Sequence, residues 1–144
     1  MTNPAQAESA EKTSVVELRI PGEAEWVAVA RLTAAAIASR LDFSLDEIDD
    51  LKLAVAEACT NAIRRGAESA PIELIFTAQP DSIVVAVRDL ATSSHLESVD
   101  EDDDEQERVE GLGLFIIRSL MDDVDFRVDP KTGGELVMTK RVFA

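Results

Sequence analysis

The sequence predicts an α+β fold: a two-layer α/β sandwich whose mixed, mainly antiparallel sheet is covered on one face by helices. Three observations carry this. The segments read in the order strand, helix, helix, strand, strand, long loop, helix, strand, strand. The 144 residues leave room for one domain with a substantial core. Residues 46–66 (DEIDDLKLAVAEACTNAIRRG) form a long helix, with Ile48, Leu51, Val55, Ala58 and Ala62 at three- and four-residue steps.

In chain order, residues 1–14 are small, polar and without periodicity, a flexible tail ahead of a single domain over 15–143. Residues 15–20 (VVELRI) alternate as a strand, ended by Pro21-Gly22. Residues 23–41 form a helix with Trp26, Ala30, Ala34, Ile37 and Leu41 on one face, and a short turn at 42–44 sets it beside the next helix. Ser44 is a favoured N-cap type and has Glu47 three residues on, the pattern of a capping box, and Gly66 ends the helix. Residues 72–78 (IELIFTA) and 82–89 (SIVVAVRD) are strands joined by Gln79-Pro80-Asp81. Residues 97–110 hold nine acids against Arg108 alone, and like charge at that density reads as a solvated loop. A helix is expected from Gly111, with Leu112, Phe115, Ile116, Leu120 and Met121 inward, followed by strands at 124–129 and 136–143.

Composition narrows the function. The formal net charge is −15, from 29 acids against 14 Lys and Arg, which excludes a phosphate-tracking nucleic-acid binder and docking on anionic lipid. Such a charge steers the protein toward basic surfaces. Cys59 is the only cysteine and lies inside a helix, so a buried, inert thiol in a reducing compartment is expected. No apolar run reaches membrane-spanning length and the N-terminus is not of secretion-signal type, which points to the cytoplasm.

Glu57 and Asn61 stand four apart, one above the other on a helix face. A carboxylate there can take a proton from a hydroxyl, and an amide oxygen can serve Mg²⁺; a solvated polar pair is the plainer alternative. Asp89 ends an apolar strand just before the long loop. Gly111-Leu112-Gly113-Leu114 stands directly after it, where glycines allow close backbone approach and helix-start amides attract phosphate. The dinucleotide fingerprint is absent. Arg64, Arg65, Arg108 and Arg118 are candidates, without geometry, for the cation that a phosphoryl transfer would need on the γ-phosphate.

The order Glu57-x-x-x-Asn61, Asp89, Gly111-x-Gly113 resembles the N, G1 and G2 boxes of the GHKL ATPases. Residues 51–63 (LKLAVAEACTNAI) and 111–124 (GLGLFIIRSLMDDV) are similar to one branch in particular, the bacterial anti-sigma-factor serine kinases of the general-stress and sporulation type. The resemblance implies the Bergerat-type ATP-binding fold of a histidine-kinase-like ATPase, with an acidic lid at 92–110 closing over Mg-ATP. It implies Asn61 as the Mg²⁺ ligand, Glu57 as general base on a serine hydroxyl, and Asp89 as acceptor from the adenine amino group. Gly111 and Gly113 would give the phosphates room and amide donors, and Leu112 and Leu114 would shape the adjoining wall. It further implies a sigma factor and an anti-anti-sigma (STAS-type) protein as partners, a homodimer, and Arg31 in partner contact; an exposed helix cation is the plainer reading of Arg31.

Three features depart from the family pattern. Ala91 replaces the glycine expected two residues after Asp89, Gly134-Glu135 stands where a threonine is common, and the lid is densely acidic. They support an alternative reading, a binding-only partner-switching module with weak or lost nucleotide binding. A metabolic-type ATPase is a third.

Overall fold

Ser44 and Glu47 fix where the longest helix begins. The Glu47 amide donates to the Ser44 hydroxyl at 3.1 Å and the Ser44 amide donates to Glu47 Oε1 at 2.9 Å, which is the reciprocal capping box. The bond from the Ser44 backbone holds the Glu47 carboxyl below its ordinary value. The chain is described by a computed structural model covering residues 12–65, 69–89, 103–129 and 133–143. Its elements are β1 (Ser14–Gly22), a 3₁₀ turn (Ala24–Trp26), α1 (Val27–Ala38), α2 (Leu45–Arg65), β2 (Ser69–Gln79), β3 (Ser82–Asp89), α3 (Asp103–Leu120), β4 (Asp123–Asp129) and β5 (Gly133–Arg141).

The five strands lie in the order β1-β2-β3-β5-β4, and all four pairings are antiparallel. The sheet is therefore antiparallel rather than mixed. The reason lies in the β3–α3–β4 connection. It does return β4 parallel to β3, but β5 lies between them and pairs with both. Pro80-Asp81 makes the β2–β3 turn, since Gln79 pairs with Ser82. The register of β1 on β2 shifts between Ile20 and Gly22, around Pro21, which has no amide to donate. Gly22 is required there: a Cβ would lie 2.0 Å from the Ala70 carbonyl oxygen.

Alternation puts Ile72, Leu74 and Phe76 of β2, Ile83, Val85 and Val87 of β3, and Leu136 and Met138 of β5 in the core. Leu51, Ala54, Val55 and Ala58 of α2 are buried with them. Ala30, Ala34 and Ala38 of α1 are fully buried, while Trp26, expected on that face, is 42% exposed. Cys59 is buried as expected, and burial pushes its thiol up to about 12, too high for a thiolate at neutral pH.

Differences from the sequence reading gather at α3. The helix starts at Asp103, not Gly111, so residues 103–110 of the expected acidic loop are helical. Acids in a first turn suit the positive end of the helix dipole, and Glu, Gln and Arg are good helix formers. Propensity and dipole outweigh the mutual repulsion. The inward face also differs. Gly113, Ile117 and Met121 are buried, whereas Leu112 and Phe115 are 61% and 69% exposed. β1, the first strand of the domain, begins at Ser14, inside the expected tail. Residues 1–11 of that tail, the remaining part of the lid (92–102) and Ala91 just before it lie outside the described residues.

Candidate functional site

The face of α2 that carries Glu57 and Asn61 turns toward the interior at its C-terminal half. Asn61 is only 7% exposed and Glu57, one turn earlier, is half-buried. A solvated surface pair is therefore excluded for Asn61. Asp89, 5% exposed, ends β3 directly opposite Gly134 of β5. Its neighbour Arg88 points to the other face of the sheet and bridges Glu73 at 3.0 Å and Glu135 at 2.6 Å. Those two bonds tie β3 to β2 and β5 at the residue before Asp89, which fixes where its carboxylate projects.

Between the C-terminal half of α2, the ends of β3 and β5, β4 and α3 lies a largely apolar cleft. Asn61, Arg65, Asp89, Leu114, Phe126 and Gly134 are among its lining residues, and its cavity volume is about 30 Å³. That is room for roughly two or three waters, a cavity needing about 10–15 Å³ by this measure to hold one. The cleft is narrow because α3 lies against α2. A Cβ on Gly113 would sit 2.5 Å from Asn61 Nδ2 and 2.8 Å from Oδ1, so only glycine lets the helices approach this closely.

Asn61 Oδ1 is buried and has no hydrogen-bond partner among the described residues. An amide oxygen so placed costs about 1–3 kcal/mol unless something meets it. A hard cation or a water would do so, and Mg²⁺ prefers oxygen ligands of this kind. No group of three or more Asp, Glu, His or Cys side chains among the described residues could hold a metal unaided. The donor set thus fits a Mg²⁺ that arrives on phosphates and takes one protein ligand, the usual coordination beside ATP.

The structure brings together four of the residues singled out in the sequence: Asn61, Asp89, Gly113 and Leu114. Glu57 stands beside this group on α2, outside the cavity lining. Two differ from expectation. Leu112 is exposed and does not line the cavity, because a two-residue step on a helix turns a side chain roughly 200° from Leu114. Gly111 is exposed, and a Cβ added to it would meet nothing within 4 Å. Both glycines lie in the third turn of α3, so their amides belong to the helix ladder, not to a free N-terminus. Arg31 is exposed on α1, away from the cavity. Among the described side chains of the cation set, Arg65 lines the site. Its guanidinium lies 4.3 Å from the centre of the Phe126 ring, and both side chains line the cavity. Its position four after Asn61 and eight after Glu57 was the available signal.

Comparison with known proteins gives the family. A family model described as a histidine kinase-like ATPase domain matches residues 20–140. The chain is 38% identical over 138 residues to the serine-protein kinase RsbW of Listeria monocytogenes serovar 1/2a, spanning 88% of this chain and 87% of that protein. It is 36% identical over 142 residues to the serine-protein kinase RsbW of Bacillus mycoides, spanning 92% and 88%. The protein of the same name from Oceanobacillus iheyensis is 36% identical over 138 residues, spanning 88% and 86%. With an ATPase-family match over most of its length and relatives this similar end to end, the chain belongs to the histidine kinase-like ATPase family, in its serine-protein kinase branch.

Proposed function

We propose that this protein is an ATP-dependent serine kinase that sequesters a sigma factor and phosphorylates a serine on an anti-anti-sigma partner. The observation that carries the site assignment is the buried Asn61 Oδ1, without a hydrogen-bond partner among the described residues and in the same cleft as Asp89. Bound Mg-ATP supplies the phosphoryl group and the metal that offsets its charge. Asn61 offers Oδ1 to the metal. Asp89 accepts from the adenine amino group, held in place by the Arg88 bridges on the opposite face. Glu57, one turn from Asn61, takes the proton of the incoming serine hydroxyl as its oxygen attacks the γ-phosphorus. ADP leaves, and Leu114 closes the wall of the cleft.

Because Gly113 lies on Asn61 in a cleft of about 30 Å³, nucleotide entry requires the Gly111–Leu114 turn of α3 to withdraw. Withdrawal also releases the amides of Gly111 and Gly113 from the helix ladder, where they become donors for phosphate. Exposed Arg31 and the apolar outer side of α1, with Val29 and Leu32 exposed, are assigned to partner contact. The protein acts in the cytoplasm as a homodimer. No helix among the described residues is long and apolar enough to cross a membrane. The closed cleft also favours a second reading, a binding-only module that holds partners without nucleotide turnover.

Glu57→Gln separates these readings. It is expected to bind Mg-ATP within about twofold of wild type while phosphoryl transfer to the partner serine falls at least about 100-fold, the usual weight of a general base. Equal loss of binding and transfer would assign Glu57 to structure. Wild-type protein that binds its partners but transfers no phosphate would leave the binding-only module.

A further inference from the structure

We propose that Arg65 is a nucleotide-binding residue that grips the α- and β-phosphates, with Phe126 as the platform that aims it. The inference rests on the nucleotide reading of the cleft and picks out one cation for it from the four candidates in the sequence. Its guanidinium stands over the Phe126 ring at 4.3 Å, and both residues border the cavity shared by Asn61 and Asp89. A planar guanidinium on an aromatic face is held in orientation, and its fork of N–H donors matches phosphate oxygens in pairs.

Position along α2 decides which phosphates. Glu57, Asn61 and Arg65 follow one another at four-residue steps, each about 6 Å along the helix axis. Glu57 serves the reacting end, where the serine hydroxyl meets the γ-phosphorus. Asn61 sits in the middle with the metal. Arg65 comes last, on the far side of Asn61 from the base and next to the purine end marked by Asp89. A triphosphate lying along this face has its α- and β-groups nearest Arg65 and its γ-group nearest Glu57. Against a protein that as a whole carries −15 and repels anions, Arg65 is the one basic side chain among the described residues that line the cavity, so a phosphate there would meet it first.

The test is calorimetric titration of the full-length wild type, Arg65→Ala, Arg65→Lys and Phe126→Leu with ADP and with ATP, both with Mg²⁺, alongside the thermal midpoint of each variant without nucleotide. Arg65→Ala is expected to weaken ADP and ATP by the same factor, about tenfold. Arg65→Lys, which keeps the charge and loses the fork, is expected to lose about threefold, and Phe126→Leu a similar amount. Wild type that binds both nucleotides while Arg65→Ala binds them equally well would overturn the inference and leave the nucleotide site standing. Loss of ATP affinity with ADP unchanged would move Arg65 to the γ-phosphate and overturn it too. Wild type that binds neither nucleotide would overturn the site and the inference together. A purely structural Arg65 is recognised because its Lys variant would track the thermal midpoint, not the affinity, and that result also counts against the proposal.

Discussion

At the scale of single residues, the contact between Gly113 and Asn61 says most about the molecule. It joins two helices that come from separate parts of the sequence, and it works only because position 113 has no side chain. Gly113→Ala would drive a methyl to within 2.5 Å of an amide that is itself almost fully buried. Either Asn61 leaves its rotamer or α3 backs away, and over-packing of this kind typically costs about 1–3 kcal/mol. Urea denaturation is expected to show a loss in that range, and an unchanged midpoint would mean that α3 and α2 are not in contact in solution. Asn61 could be read from sequence as a polar helix residue with a metal-ligand oxygen. That it is buried could not be read, because the residue that buries it is a glycine.

At the scale of elements, α2 was legible and α3 was not, for a physical reason. In α2 the capping box, the apolar period and the glycine after Arg65 all agree, and the helix begins at the residue after the predicted cap. In α3 two signals conflict. Charge density argues for a loop over 103–110, while helix propensity and the dipole argue for a helix, and the helix wins. The inward face also misleads, since it starts at Gly113, which hydrophobic periodicity cannot register, so the large side chains of Leu112 and Phe115 stood in for it. Gly111 offers the matching experiment. It is exposed, in mid-helix, and a methyl there meets nothing within 4 Å, so Gly111→Ala should strengthen α3 by up to about 1 kcal/mol. If nucleotide entry opens this turn, that gain is taken from binding, and Mg-ATP affinity should fall about fivefold as thermal stability rises. A rise in stability with affinity unchanged would show that the turn stays helical when nucleotide binds.

At the scale of the whole molecule, the order of elements predicted from sequence is the order found, and the sheet differs only in being antiparallel at every pairing. That topology brings residues 57, 61 and 65 of α2 together with Asp89 of β3 and Gly113 of α3, which are far from them along the chain. What the sequence could not supply were the juxtapositions, Arg65 over Phe126 and Gly134 opposite Asp89, which depend on the β3-β5-β4 pairing of the folded sheet. The net charge of −15 makes a triphosphate an unfavourable visitor except where metal and local cations meet it, so binding should need Mg²⁺. Calorimetric titration of the nucleotide-free protein with ATP, with and without Mg²⁺, tests the central assignment most directly. One-to-one binding in the micromolar range that requires Mg²⁺ and disappears in Asn61→Ala is the expected result; binding that is absent or only millimolar, or that survives loss of Asn61, would contradict it.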